Sequence, residues 1–159
     1  MIRYEHTQRG TVILAVLLVG AAICIALATL KSAPPFVVPM VFGVSVVCAY
    51  MFSSLTIQIT GRTLRWYFGP GLFRKQISLS DIQGAEVTRT RLIHGWGIHH
   101  TSKGWLYNVS GFDAVAVRLD AGKDVLLGTD EPERLRAAIL RALPERAAPP
   151  PLLRSTPSP

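Results

Sequence analysis

Two long stretches without a single charge stand near the start of this chain, and they constrain its fold more than any other feature. Residues 10–30 and 32–61 contain no Asp, Glu, Lys or Arg, and only Lys31 separates them. A helix of about 20 apolar residues matches the ~30 Å hydrocarbon core of a bilayer. Residues 11–30, TVILAVLLVGAAICIALATL, and residues 36–55 therefore read as transmembrane helices 1 and 2, joined by a short external turn at 31–35. Pro34 and Pro35 lie just before the second run and Pro39 in its first turn, where a missing N–H costs least.

A cleaved leader is the competing reading, because Arg3 and Arg9 precede the first run. That run exceeds the ~7–15 apolar residues of a signal peptide, and a second apolar run follows at once, so a retained hairpin is expected. Lys and Arg near the ends set its direction. Arg3 and Arg9 come before the first helix, Arg62 and Arg65 soon after the second, and Lys31 alone lies between. By the positive-inside rule the chain is a two-pass protein of the plasma (inner) membrane with both termini cytoplasmic. The spans hold no ionisable residue of the kind that marks ion pathways, which disfavours a channel or transporter. Cys24 and Cys48 would lie about 20 and 10 Å from the cytoplasmic ends of their helices, too far apart in depth for a disulfide.

The pairing of 49% hydrophobic residues with a net charge of +7 in 159 residues reflects this segregation, since all but four charged side chains fall after Gly61. Within residues 56–103 seven Lys and Arg face only Asp81 and Glu86, so the basic stretch lies nearest the membrane in sequence.

Residues 1–10 read as a cytoplasmic N-terminal segment and 56–143 as one domain. Leu55, Ile57 and Ile59 alternate with polar residues, as do Leu64, Trp66 and Phe68, which predicts a hairpin turning at Thr60-Gly-Arg62. Residues 72–79 give a third strand, 78–81 a break, and 82–90 another extended segment. Residues 94–111 read as a long irregular section. Residues 112–119, with Val115, Val117 and Leu119 inward, pair in a hairpin with 124–128. Asp130 and Glu133 have capping-box spacing, and Leu135, Ala138, Ile139, Ala142 and Leu143 share one face of a closing helix that should cover an open end of the sheet. Residues 144–159 hold six prolines and read as a disordered tail.

Consecutive antiparallel strands capped by one amphipathic helix are the order of a pleckstrin-homology (PH)-like barrel or sandwich. The segments LTIQITGRTLRW, SLSDIQGAEV, GWGIHHTSKGWLYNVSGFDAV and GTDEPERLRAAI resemble the bacterial PH domains of small membrane proteins of uncharacterised function. The resemblance covers roughly 53–143, and two preceding spans are a common companion of such domains. It implies an α+β chain, a two-helix transmembrane hairpin followed by a PH-like antiparallel β-barrel or sandwich with one C-terminal helix, and no assigned reaction. In eukaryotic PH domains a basic first hairpin grips inositol phosphates; the turn at Thr60-Gly-Arg62 is too short and too poor in cations to carry that over.

No nucleophile elbow, phosphate loop, dinucleotide fingerprint or paired-histidine zinc helix occurs, so a non-catalytic chain without cofactor is expected. His94, His99 and His100 are the nearest approach to a metal site, but adjacent histidines on an extended chain point apart and no cysteine or carboxylate is near; no metal is expected. Gly95 and Gly97 precede no helix that could cradle a phosphate. Trp96 and Trp105 are read first as core residues closing the barrel, with a recognition surface shared with Tyr107 as the sharper alternative. Arg62, Arg65, Arg74 and Lys75 are the candidates for contact with a lipid surface, Arg62 and Arg65 being explained by topology alone. No stacking platform for nucleic acid is recognisable. The leading expectation is a non-catalytic scaffold at the cytoplasmic membrane face that binds a membrane or cytoplasmic protein; the alternative is sensing of anionic lipid by the basic side.

Overall fold

The computed structural model describes residues 2–30, 34–90, 96–101, 104–120, 122 and 124–144. It is an α+β structure with two sheets and, among the described residues, three α-helices. The first sheet is a plain antiparallel meander of β1 (Ile2–Arg9), β2 (Ser54–Thr60), β3 (Thr63–Phe68) and β4 (Arg74–Ser78). A single 3₁₀ turn, Leu79–Asp81, stands at the predicted break and leads into the second sheet. That sheet comprises β5 (Ile82–Arg89), β6 (Gly97–Thr101), β7 (Gly104–Asn108), β8 (Asp113–Leu119) and β9 (Asp124–Gly128), in the order β5-β8-β9-β7-β6. The β7–β9 pair is parallel, so the sheet is mixed, and among the described residues the two sheets face each other without closing into a barrel.

The predicted alternation is what builds the core. Leu55, Ile57 and Ile59 of β2 and Leu64, Trp66 and Phe68 of β3 are all buried, and across from them lie Val115, Val117 and Leu127. Each such side chain, fully buried, stabilises the fold by about 1.5–3 kcal/mol. The amphipathic helix α3 (Pro132–Ala142) seals one flank, with Leu135, Ile139 and Ala142 buried against β1, β2, β5 and β8. Its first turn differs from the capping box expected. Glu131 occupies the cap position without a side-chain cap bond, and the Asp130 carboxylate instead accepts a 2.6 Å hydrogen bond from His6 Nε2.

The two apolar helices follow a different rule. Helix α1 (Thr11–Leu30) has the predicted bounds, and α2 (Val37–Met51) is shorter than the 36–55 expected because the strand claims Ser54 and Leu55. Neither contains a buried residue, and only 6% of the most apolar window of α1 is buried. Of the two, α1 alone is long and apolar enough to cross a membrane. Both cysteines are free.

Two elements depart from the sequence reading. Residues 2–9 belong to the first sheet, Gln8 opposite Leu55 and Arg9 opposite Ser54, so the domain extends beyond 56–143 and the helical pair is inserted between its first two strands. Within 94–111, β6 and β7 form a hairpin in the region read as irregular. The tail after Pro144, His94 and Gly95 lie outside the described residues.

Candidate functional site

Closing one flank of a two-sheet sandwich with a helix leaves the other flank to its own edges. Here those edges are β4 in the first sheet and β6–β7 in the second, and between them opens a cleft of about 460 Å³. Trp66, Ile77, Ile98, Tyr107 and Val125 form its apolar walls, Leu72 and Phe73 one end, and Arg74, Lys75, Gln76 and Trp105 its rim.

Register explains the rim. Lys75 pairs with Trp66 and Ile77 with Leu64, while the Phe68 N–H donates to the Phe73 carbonyl at 3.1 Å. Phe73, Lys75 and Ile77 thus share the inward pleat with Phe68, Trp66 and Leu64. Lys75 is the charged residue at an inward position. Arg74 and Gln76 lie on the outer pleat with Arg65, whose guanidinium donates to Gln76 Oε1 at 3.2 Å. Among the described residues no ion pair involves Arg65, Arg74 or Lys75.

Aromatic rings line the interior. Trp66 and Tyr107 meet edge to face at 5.2 Å, and burial pushes the Tyr107 phenol above its ordinary pKa, keeping it a neutral donor. Trp66 is only 2% exposed, yet its indole N–H has no hydrogen-bond partner among the described residues. A buried donor left without an acceptor costs about 1–3 kcal/mol.

The end of the cleft formed by Leu72 and Phe73 lies against the base of the apolar helices. Phe73 stacks on Phe52, the residue after α2, at 6.0 Å, and Phe52 meets Phe68 at 5.4 Å. The Gly69 N–H donates to the Ser54 carbonyl at 2.8 Å. A Cβ at Gly69, whose φ is +42°, would come within 2.6 Å of the Tyr50 and Met51 carbonyl oxygens. Only glycine allows this approach. Beside this junction Leu72 is 70% exposed.

The sequence candidates are thereby sorted. Arg74 and Lys75 come together at the cleft, and Arg65 joins them on the outer face around a shallow depression. Arg62 does not: it sits in the turn at the far end of the β2–β3 hairpin, about 20 Å along the strand from the helix base. Trp105 is 48% exposed and meets His100 edge to face at 5.3 Å, so it closes no barrel core and instead flanks the cleft with the buried Tyr107. Trp96 is partly buried, its Nε1–H donating to the Gly111 carbonyl at 3.3 Å, and belongs to neither the core nor the cleft lining. His99 Nε2 donates to the Trp96 carbonyl at 2.7 Å, and among the described residues no three His, Cys, Asp or Glu gather as a metal site. Leu72, Phe73, Ile98 and Trp66 were not singled out from sequence as site residues. The pair Leu72-Phe73, apolar between a Gly-Pro-Gly turn and two cations, was the signal available. No protein-family model and no curated protein matches the chain.

Proposed function

We propose that this chain is a non-catalytic, PH-like module, anchored by two spans in the inner membrane with both termini cytoplasmic, that reads anionic lipid at the bilayer surface. The observation that carries the reading is the β3–β4 turn. It puts exposed Leu72 and Phe73 beside the base of the apolar helices, and two cations without acid partners among the described residues, Arg74 and Lys75, follow at once. Apolar and aromatic residues at that level favour the interface, and each cation near an anionic surface contributes about 1 kcal/mol.

Anchoring by two crossings is supported by where the helical pair begins and ends. The Gly10 N–H donates to the Ser53 carbonyl at 2.8 Å, so the chain leaves and re-enters the domain at one point, which requires an even number of crossings. Helix α1 spans about 30 Å and α2 about 22 Å, a shortfall that flanking Phe36 and Phe52 and local thinning accommodate. The PH-like reading is supported by the order of elements once the α1–α2 and β6–β7 insertions are set aside: a four-strand meander, a three-strand meander β5-β8-β9, and a closing helix.

A protein scaffold acting by strand addition is the second reading, favoured by β4, which has no strand on its outer side among the described residues. Lys75 counts against it, since an inward-pointing charge on an edge strand is a device that blocks such pairing.

The test uses the full chain in nanodiscs. Hydrogen exchange over residues 72–77 slows in anionic relative to zwitterionic nanodiscs, and the difference disappears with R74E/K75E or by roughly 0.3 M salt. Protection indifferent to lipid charge overturns the lipid reading. Site-specific photocrosslinking from Gln76 to one protein in native membranes would support the scaffold instead.

A further inference from the structure

Contact with a charged surface uses only the rim of the cleft; its interior is built for something that enters. We propose that the cleft admits the acyl chain of a single anionic amphiphile from the cytoplasmic leaflet, with Lys75 and Arg74 holding its phosphate or carboxylate head. This inference rests on the membrane-surface reading above and goes beyond it by naming an occupant.

Two independent observations point to that chemistry. The walls are apolar and aromatic, Trp66, Ile77, Ile98, Tyr107 and Val125, and the volume of about 460 Å³ falls in the ~300–1,000 Å³ range of small-ligand sites. Cations stand at one place on the rim, where Lys75 occupies the inward pleat beside Trp66 without an acid partner among the described residues. Such an arrangement selects an apolar body with an anionic end and leaves a neutral apolar ligand no partner for Lys75.

The route in is continuous with the bilayer. Leu72 and Phe73 line the end of the cleft and also lie by Phe52 at the foot of α2, so a chain can pass from the interface over these two side chains without crossing water. An extended peptide would have to come from the aqueous side, past Lys75 at the β4 edge. The geometry therefore favours the lipid.

Fluorescence quenching tests it directly. The full chain carrying W96F and W105F leaves Trp66 as the one tryptophan, and Trp66 is too buried for bulk lipid to reach. In zwitterionic nanodiscs, titration with a lysophosphatidic acid brominated along its chain should quench Trp66 saturably, at one molecule per protein. Ile98→Glu, which puts an anionic group on the apolar wall, should abolish the quenching. Lys75→Glu should weaken the midpoint at least fivefold without touching the walls. Because either variant could disturb the fold, each is checked by its unquenched Trp66 emission and its hydrogen-exchange pattern over β3.

No quenching at saturating probe, with charge-dependent protection of residues 72–77 intact, overturns the cleft occupant and leaves the surface reading standing. Loss of both overturns the two together. Quenching equally strong with a brominated neutral monoacylglycerol, or relieved by an extended peptide and not by unlabelled lysophosphatidic acid, overturns the assignment of an anionic lipid.

Discussion

Helices α1 and α3 solve opposite problems with overlapping residue types. Leu, Ile and Ala dominate both, yet α3 has three buried residues in eleven, all on one stripe, whereas α1 has none in twenty. The difference lies in the residues between the apolar ones. In α3 they are Glu133, Arg134, Arg136 and Arg141, which confine the apolar side chains to one face and hold the other in water. In α1 they are more apolar residues, so no face is distinguished and the helix finds no partner large enough in a domain of this size. What the comparison teaches is that burial in this chain is decided by polar spacing and that apolar content alone leaves a helix without a buried face.

The largest effect expected from that contrast comes from one substitution made in both helices. Leu135→Ala removes a fully buried side chain and should lower the stability of the domain by about 2–5 kcal/mol. Leu18→Ala, at a position 70% exposed, should leave it within about 0.5 kcal/mol. Urea unfolding of the full chain in detergent, in the W96F/W105F background that leaves Trp66 as the one tryptophan, measures both by its emission. Equal losses would mean that α1 is packed in the domain after all, and the contrast would be void.

Changing solvent preference is a second way to break it. Val19→Arg puts a charge near the middle of α1 and should cost about 2.5–3.5 kcal/mol of membrane insertion. The same change at Ala137, on the polar side of α3, should be nearly silent. Carbonate extraction of membranes separates the outcomes. Full retention of the Val19→Arg chain in the membrane fraction would argue that α1 does not carry the anchoring.

At the joint between the two regimes, Gly69→Ala should cost about 1–3 kcal/mol, because a Cβ there meets the Met51 carbonyl oxygen at 2.6 Å with φ at +42°. Hydrogen exchange should accelerate in the β3–β4 turn while β8 and β9 stay protected. Acceleration spread evenly over both sheets would show that the turn does not act as a local buttress.

Those same contrasts account for what the sequence disclosed. Strands β2, β3, β4, β5, β8 and β9 and helix α3 were legible, most of them because their periodicity is written in Leu, Ile, Val and Trp. Strand β1 was not, because its inward positions are Tyr4, His6 and Gln8, polar residues that no hydropathy pattern would rank as core. They face inward because the β1 edge meets α3 and the loop after β7, where polar partners wait: His6 donates to Asp130, and Gln8 Nε2 donates to the Ser110 carbonyl at 2.9 Å. The β6–β7 hairpin was hidden by its five-residue strands and by Gly97 and Gly104 at their starts. Of the site, the cations Arg74 and Lys75 and the rings of Trp105 and Tyr107 were readable. The cleft itself was not, since Trp66 lies in one sheet and Ile98 and Val125 on separate strands of the other, and only the facing of the two sheets and the β7–β9 crossover bring them together.

The smallest effect tests the polar seam between β1 and α3. Burial first, then the Glu131 carboxylate, raise the Tyr4 phenol to about 12, and its hydroxyl has no partner among the described residues. A phenol whose folded pKa lies above its unfolded value of 10 favours the folded state fully below pH 10. As pH climbs from 10 toward 12 the unfolded chain ionises first, and that contribution is lost. Tyr4→Phe should therefore flatten this part of the alkaline unfolding curve. At neutral pH it should be neutral or slightly stabilising, because it removes a buried hydroxyl that bonds to nothing among the described residues. Were Tyr4→Phe instead destabilising at pH 7, the hydroxyl would have a partner, and β1 would be held to α3 by a polar bond in place of packing.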